Sequence, residues 1–255
     1  MRYLILLAAL IVWTGCNGGT NKALQEVVEE THPLVPSGNL YIKNVDGIVR
    51  LYGSNNPEVH IAATKKAYSA ERLRAIRIEV SSTPDSLAID TVLPPRKKWS
   101  LRDRSGAVDY TIVMPQFLKK VEVELANGEI SMDDFRGGSA RASLVNGRIS
   151  ASNCFANLDY EAKNGAIDFY YKWWEARTYF AQAAIPNGSI GVFLPENASF
   201  HVEAETQGGV IISNLIDEDE KPRDHRKKLA GTFGSERGPT FKFNAGNGNI
   251  RIQGY

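Results

Sequence analysis

Ala126-Asn127-Gly128-Glu129-Ile130, Val145-Asn146-Gly147-Arg148-Ile149 and Lys163-Asn164-Gly165-Ala166-Ile167 carry one phrase, Asn-Gly-x-Ile, at almost equal spacing. The phrase returns as Asn187-Gly188-Ser189-Ile190, as the weaker Gly208-Gly209-Val210-Ile211, and as Asn247-Gly248-Asn249-Ile250. A degenerate copy, Asp46-Gly47-Ile48-Val49, lies near the front. A fixed period of roughly 20 residues marks one supersecondary unit stacked on copies of itself. Asn and Gly both tolerate positive φ, so the pair suits a sharp corner. Two residues beyond each closing Ile come Met132, Ala151, Phe169, Val192, Ser213 and Ile252, mostly apolar, with mostly non-apolar residues between. That alternation is a strand with one buried face.

Asn-Gly flanked by alternating residues also suits a β-hairpin with a type I′ turn. The repeat length favours another arrangement. From Asn127 to Asn146 there is room for two short strands and two corners, with a break at Arg136-Gly137-Gly138. The expected fold is all-β: a single-stranded β-solenoid, β-helix-like, with two main sheets, Asn-Gly corners and a rung of about 18–23 residues. The corners are Asn127, Gly128, Asn146, Gly147, Asn164, Gly165, Asn187, Gly188, Asn247 and Gly248. Equivalent Ile residues would lie over one another, each contributing roughly 1.5–3 kcal/mol by burial. About eleven such rungs would make a rod on the order of 50 Å long.

Residues 38–53, Gly-Asn-Leu-Tyr-Ile-Lys-Asn-Val-Asp-Gly-Ile-Val-Arg-Leu-Tyr-Gly, share a pattern with the Asn-Gly-x-Ile series, Gly191-Val192-Phe193-Leu194-Pro195 and Gly238–Gly254. Together they resemble the bacterial putative-adhesin family of β-strand-repeat proteins over about residues 37–255. The resemblance implies a β-helix-like solenoid, an envelope location and an adhesive role. It brings no catalytic residues with it.

The chain opens on a short basic start, Met1-Arg2-Tyr3, then an apolar run from Leu4 to Val12 and Trp13-Thr14-Gly15-Cys16. That run is too short for a bilayer, which takes about 20 residues. Residues 1–15 read as a lipoprotein-type signal peptide and Cys16 as the lipid-attachment site. Trp13 departs from the aliphatic residue usual three before such a Cys. Residues 16–36 read as lipidated N-terminus and tether, with a helical turn or two around Leu24, Val27 and Val28. Residues 37–255 are the solenoid domain. With Cys16 lipidated, Cys154 has no partner for a disulfide and reads as a small buried residue near a corner. The protein is thus expected to be exported, anchored in the bacterial outer membrane or facing the periplasm.

With 30 basic and 29 acidic residues the chain is near neutral, which argues against a nucleic-acid partner. Strand-like segments at 40–43, 49–52, 59–63, 76–80, 87–91, 108–114 and 121–125 read as longer rungs feeding the stack. Pro94-Pro95-Arg96-Lys97-Lys98-Trp99 with Arg102 and Arg104 is a basic run, either a solvated loop or a contact for anionic headgroups. A second charged run, Asp217–Lys228, reads as a self-compensating loop.

The rung that starts at Asn164 carries extra residues through Phe180. Insertions in repeat proteins map to loops, often on the binding face. Tyr171, Trp173, Trp174 and Tyr179 are therefore the candidate contact residues, with ring area for a sugar or a protein partner. At least one of the adjacent Trp residues should face outward if the segment is strand.

No catalytic constellation emerges. Asp133, Asp134, Asp159, Glu161 and Asp168 are the nearest acids but do not recur in one register. His32, His60, His201 and His225 are far apart, and no paired Cys motif, P-loop or nucleophile elbow occurs. No catalytic residue, metal site or cofactor is assigned. The reading is a non-catalytic envelope lipoprotein that binds or adheres through its solenoid surface. Its partners are the membrane, through the anchor, and a glycan or envelope protein. The alternatives are a structural or sensory periplasmic scaffold and, less favoured, a polysaccharide-active enzyme.

Overall fold

A computed structural model describes residues 23–95, 106–215, 227–235 and 238–255. In chain order the elements are β1 (Leu24–Pro33), β2 (Asn39–Ser54), β3 (Glu58–Ala67), α1 (Ala70–Ala75), β4 (Arg77–Thr83), β5 (Ser86–Val92), β6 (Ala107–Pro115), β7 (Lys120–Asp133) and β8 (Ser139–Ser152). They continue as β9 (Asn157–Tyr170), β10 (Phe180–Leu194), β11 (Phe200–Thr206), β12 (Ile211–Ser213), β13 (Lys228–Phe233), β14 (Thr240–Asn247) and β15 (Ile250–Gly254). The fold is all-β, and the strands join in one open, non-barrel, solenoid-like sheet.

The repeated phrase sits mid-strand rather than between strands. Burial along β7 falls on Val121, Val123 and Leu125, then on Ile130 and Met132. The inward phase reverses across Asn127-Gly128, so the strand folds there and keeps both halves facing one interior. Tyr160 before the bend in β9 stacks on Phe169 after it at 5.5 Å. β7, β8, β9 and β10 pair in parallel, placing Asn127 beside Asn146, Asn146 beside Asn164, and Asn164 beside Asn187. Ile130, Ile149, Ile167 and Ile190 stack in the same register and are all buried. No hairpin forms at the Asn-Gly pairs of β7, β8, β9 and β10.

The two residues of the phrase divide the work differently from the expectation. Only the glycines take positive φ: Gly47, Gly128, Gly147, Gly165, Gly188 and Gly248 lie between 128° and 157°. None of the corner Asn residues is left-handed; the non-glycine cases are Asp134 and Asn153. The Asn side chains form a ladder instead. Asn127 Nδ2 donates to Asp46 Oδ1 at 2.7 Å, Asn146 to Asn127 at 2.8 Å and Asn164 to Asn146 at 2.8 Å. Asn187 continues to Asn164 at 3.3 Å and Asn247 to Asn187 at 3.1 Å. A carboxylate at Asp46 accepts but cannot donate, so it fits the bottom of a ladder whose donors all point down. The Gly column is steric as well as conformational: a Cβ on Gly147 would lie 1.8 Å from the Gly128 carbonyl oxygen.

The N-terminal third departs from the expected rungs. β2 pairs in parallel with β5 through its first half and with β6 through its second. β5 then pairs antiparallel with β4, β6 with β3, and β3 with β1. Two antiparallel ribbons thus end the stack where extra rungs were expected. Residues 24–33, read as tether with a helical turn or two, are strand β1. At the other end β14 and β15 take the two halves of the next level and β11 and β12 the one after, with β13 antiparallel at the edge. One half of the folded sheet runs β4-β5-β2-β7-β8-β9-β10-β14-β11-β13, and the other β1-β3-β6-β2-β7-β8-β9-β10-β15-β12. At about 4.8 Å per step each stack is about 43 Å long. Cys16, the basic run at 96–104 and most of the 217–228 run lie outside the described residues.

Candidate functional site

After each bend and second half-strand the chain returns to start the next level, and these returns stack too. Arg136 N donates to Gln116 O at 2.9 Å, Gly138 N to Leu118 O at 3.0 Å, and Phe155 N to Phe135 O at 2.9 Å. Phe135, Phe155 and Leu118 turn inward and are buried. Phe117, on the same face, is 54% exposed. The long return between β9 and β10 carries the candidate contact residues, and it is irregular rather than strand.

Leaving the strand breaks the alternation, and the four candidates separate. Tyr171 and Tyr179 are buried, packed around Phe155 and Phe241. Trp174 is half-buried against Tyr171, Phe200 and Phe241. Trp173 alone of the four presents its ring to solvent, at 41% exposure. Burial raises both tyrosine hydroxyls well above their usual pKa, and they lie close enough to act on each other electrostatically. Neither reaches hydrogen-bonding geometry, and Trp174 Nε1 beside them also lacks a partner. Buried polar groups are normally satisfied, and among the described residues three of the four buried side-chain atoms without a partner gather here.

What fixes Trp173 is a polar clasp across the returns. Arg136 reaches Glu175 Oε1 through Nε at 3.0 Å and Nη2 at 2.7 Å, and its Nη1 donates to Gln116 Oε1 at 2.9 Å. Gln116 in turn bonds Asn55. The Arg136 guanidinium lies 5.8 Å from the Phe155 ring centre and 5.9 Å from that of Trp173, a cation–π position for both. Trp173 Nε1 donates to Glu175 Oε1 at 3.3 Å. Burial pushes the Glu175 carboxyl up, but the bonds from Arg136 and Trp173, with the charges of Arg136 and Arg177, bring it below its ordinary value. Arg136, Glu175 and Phe117 were not singled out from sequence. Arg136-Gly137-Gly138 reads there only as a break, and nothing local links Arg136 to the distant Glu175.

The acids do not gather into a catalytic or metal-binding group. Asp159 and Glu161 both lie beside Arg141, at 3.7 and 3.5 Å. Asp168 is raised by burial and partly held down by Arg148 at 2.9 Å. Among the described residues, no three His, Cys, Asp or Glu side chains are placed to share a metal ion. Cys154 is buried, and desolvation pushes its thiol up to about 12. Among the described residues, no helix is long and apolar enough to cross a membrane.

No family model matches the chain, and no curated protein matches it. Solved structures do. One described as a putative cell adhesion protein from Clostridium sporogenes has a TM-score of 0.52 at 13% identity, covering 92% of this chain and all of its own. A putative adhesin from Bacteroides fragilis gives 0.35 at 11% identity, covering 89% and 97%. A putative lipid binding protein from Parabacteroides distasonis gives 0.36 at 12%, covering 89% and 96%. The Clostridium likeness is one of fold, and the other two are too weak to argue from.

Proposed function

We propose that the protein is a non-catalytic envelope lipoprotein whose solenoid, turning at regularly recurring Asn-Gly corners, serves as a rigid binding or adhesion surface. Cys16 carries the lipid, and residues 1–15 are removed with the signal. The face of stacked returns is the contact area, with Trp173 at its centre and Arg136 beside it. The observation that carries this is Trp173: a large ring left 41% exposed yet held in one place by Glu175 and Arg136. Trp and Arg dominate binding energy at interfaces when their geometry is set beforehand. The likeness to a structure described as a cell adhesion protein agrees with the reading. A scaffold that meets a protein partner would use the same face.

The test is retention of the unlipidated chain, residues 17–255, on isolated cell-envelope fractions, wild type against Trp173→Ala. Retention should fall at least about tenfold, or about 1.4 kcal/mol, with an unchanged melting curve. Equal retention removes Trp173 from the contact surface. Loss of lipid label on Cys16→Ser tests the anchor.

A further inference from the structure

On the outward side of β7 to β10, past the glycine bend, register and side-chain size combine into a feature that the return face does not use. The outermost row reads Tyr52, Asp133, Ser152, Tyr170, Phe193, each beside the next. The row next to it reads Arg50, Ser131, Ser150, Asp168, Gly191. Tyr170 and Phe193 stack at 4.9 Å with their planes 5° apart. Phe193 therefore covers one face of the Tyr170 ring. The other face looks over Ser152, which is too short to cover it. Tyr52, 38% exposed, stands three strands away at the far end, about 14 Å off at about 4.8 Å per step. Between the two rings lies a floor of Ser131, Ser150, Ser152 and Asp133. Arg148 reaches across one side of it to Asp168, which is only 8% exposed.

We propose that this notch between Tyr52 and Tyr170 binds an uncharged oligosaccharide lying along the stack. Three observations select that ligand class. The backbone of β7, β8 and β9 is paired on both sides, so a peptide finds no strand edge to extend. What remains is ring faces at the ends and small hydroxyl and carboxylate groups between, which matches apolar sugar faces and outward sugar hydroxyls. The charges give no net attraction to an acidic glycan: in and beside the two rows the carboxylates Asp133 and Asp168 balance the cations Arg50 and Arg148, and Arg148 is already engaged by Asp168. The proposal rests on the binding-module reading and gives it a ligand, on a face distinct from Trp173.

Calorimetric titration of the full chain tests it, using neutral hexasaccharides of glucose, mannose and N-acetylglucosamine, with hexagalacturonate as the acidic probe. At least one neutral sugar should bind, and hexagalacturonate should not. Ser152→Trp fills the notch and should abolish binding. Tyr52→Ala removes one wall and should weaken binding about tenfold, or about 1.4 kcal/mol. Both positions face outward, so melting curves should stay at wild type. Binding unchanged by both Ser152→Trp and Tyr52→Ala overturns the proposal, as does binding of none of the neutral sugars. If envelope fractions still retain the unlipidated chain, residues 17–255, although it binds no sugar, the notch alone has failed. If they do not, the binding-module reading fails with it.

Discussion

Replacing Gly147 by Ala should be among the most damaging single-methyl changes in the molecule. Gly147 has φ of +136°, where an L-residue is strained by about 1–3 kcal/mol. Its new Cβ would meet the Gly128 carbonyl oxygen at 1.8 Å and the carbonyl carbon at 2.8 Å. Those atoms are backbone held in a parallel ladder, so the contact cannot be relieved by a rotamer. The β7 and β8 bends must separate, weakening local backbone bonds worth about 0.5–1.5 kcal/mol each. With two or three bonds lost, the sum is about 2–8 kcal/mol, a large share of the roughly 5–15 kcal/mol that stabilises a domain. Gly106→Ala is the control. Gly106 has φ of +151°, but the nearest atom to its Cβ is 3.7 Å away, so it tests φ strain without the clash. Urea melts of the two variants and wild type give the comparison. If Gly147→Ala unfolds at the same urea concentration as Gly106→Ala, the close-packed column of glycines is wrong.

Other outcomes follow from the same structure. Asn146→Ala removes the middle of the side-chain ladder, breaking bonds to Asn127 and Asn164, and should lower stability by about 1–2 kcal/mol in a urea melt. Ile167→Asn buries an amide without partners at a fully buried site and should cost several kcal/mol; a wild-type melt would remove Ile167 from the core. Glu175 has its folded pKa lowered, so its contribution is present above the ordinary carboxylate pKa and is lost as pH falls through the folded value. Glu175→Gln should therefore be less stable than wild type at pH 7, with the gap closing in acid; a gap independent of pH would mean the carboxylate is not the clasp. Burial raises the Cys154 thiol to about 12, so iodoacetamide at pH 8 should label it only after unfolding.

The bends were legible because their chemistry repeats at one spacing, and parallel stacking is what puts identical residues side by side. Asn127 and its equivalents, read from sequence, were nonetheless assigned to backbone conformation. Their amides bond across strands, and a ladder is visible only once register is known. The N-terminal ribbons were not legible for a related reason. β3, β4 and β6 alternate like the rungs, and alternation with period two does not distinguish parallel from antiparallel neighbours. Turn signals stand at Gly53–Pro57 and Thr83-Pro84-Asp85, but turn residues mark a bend without saying whether the chain doubles back or starts a new level. In the 171–179 return, the alternation rule applies only to strand. It could require an exposed Trp but not choose Trp173 over Trp174, nor foresee that Tyr171 and Tyr179 turn inward around Phe155. The Tyr52–Tyr170 notch needed both the register and the ring stacking.

Successive Asn-Gly-x-Ile segments run side by side in the same direction and in register, and both proposed surfaces depend on that. Paired cysteines read it directly, since a disulfide needs Cα atoms about 4.4–6.8 Å apart. Ser143 lies beside Glu161 in the parallel pairing of β8 and β9. A hairpin turning at Asn146-Gly147 would instead put Ser143 opposite Ser150. Mild oxidation of the Ser143→Cys, Glu161→Cys double variant should give a cross-link, and the Ser143→Cys, Ser150→Cys variant should stay reduced. The reverse pattern would contradict the parallel stack and everything placed on it.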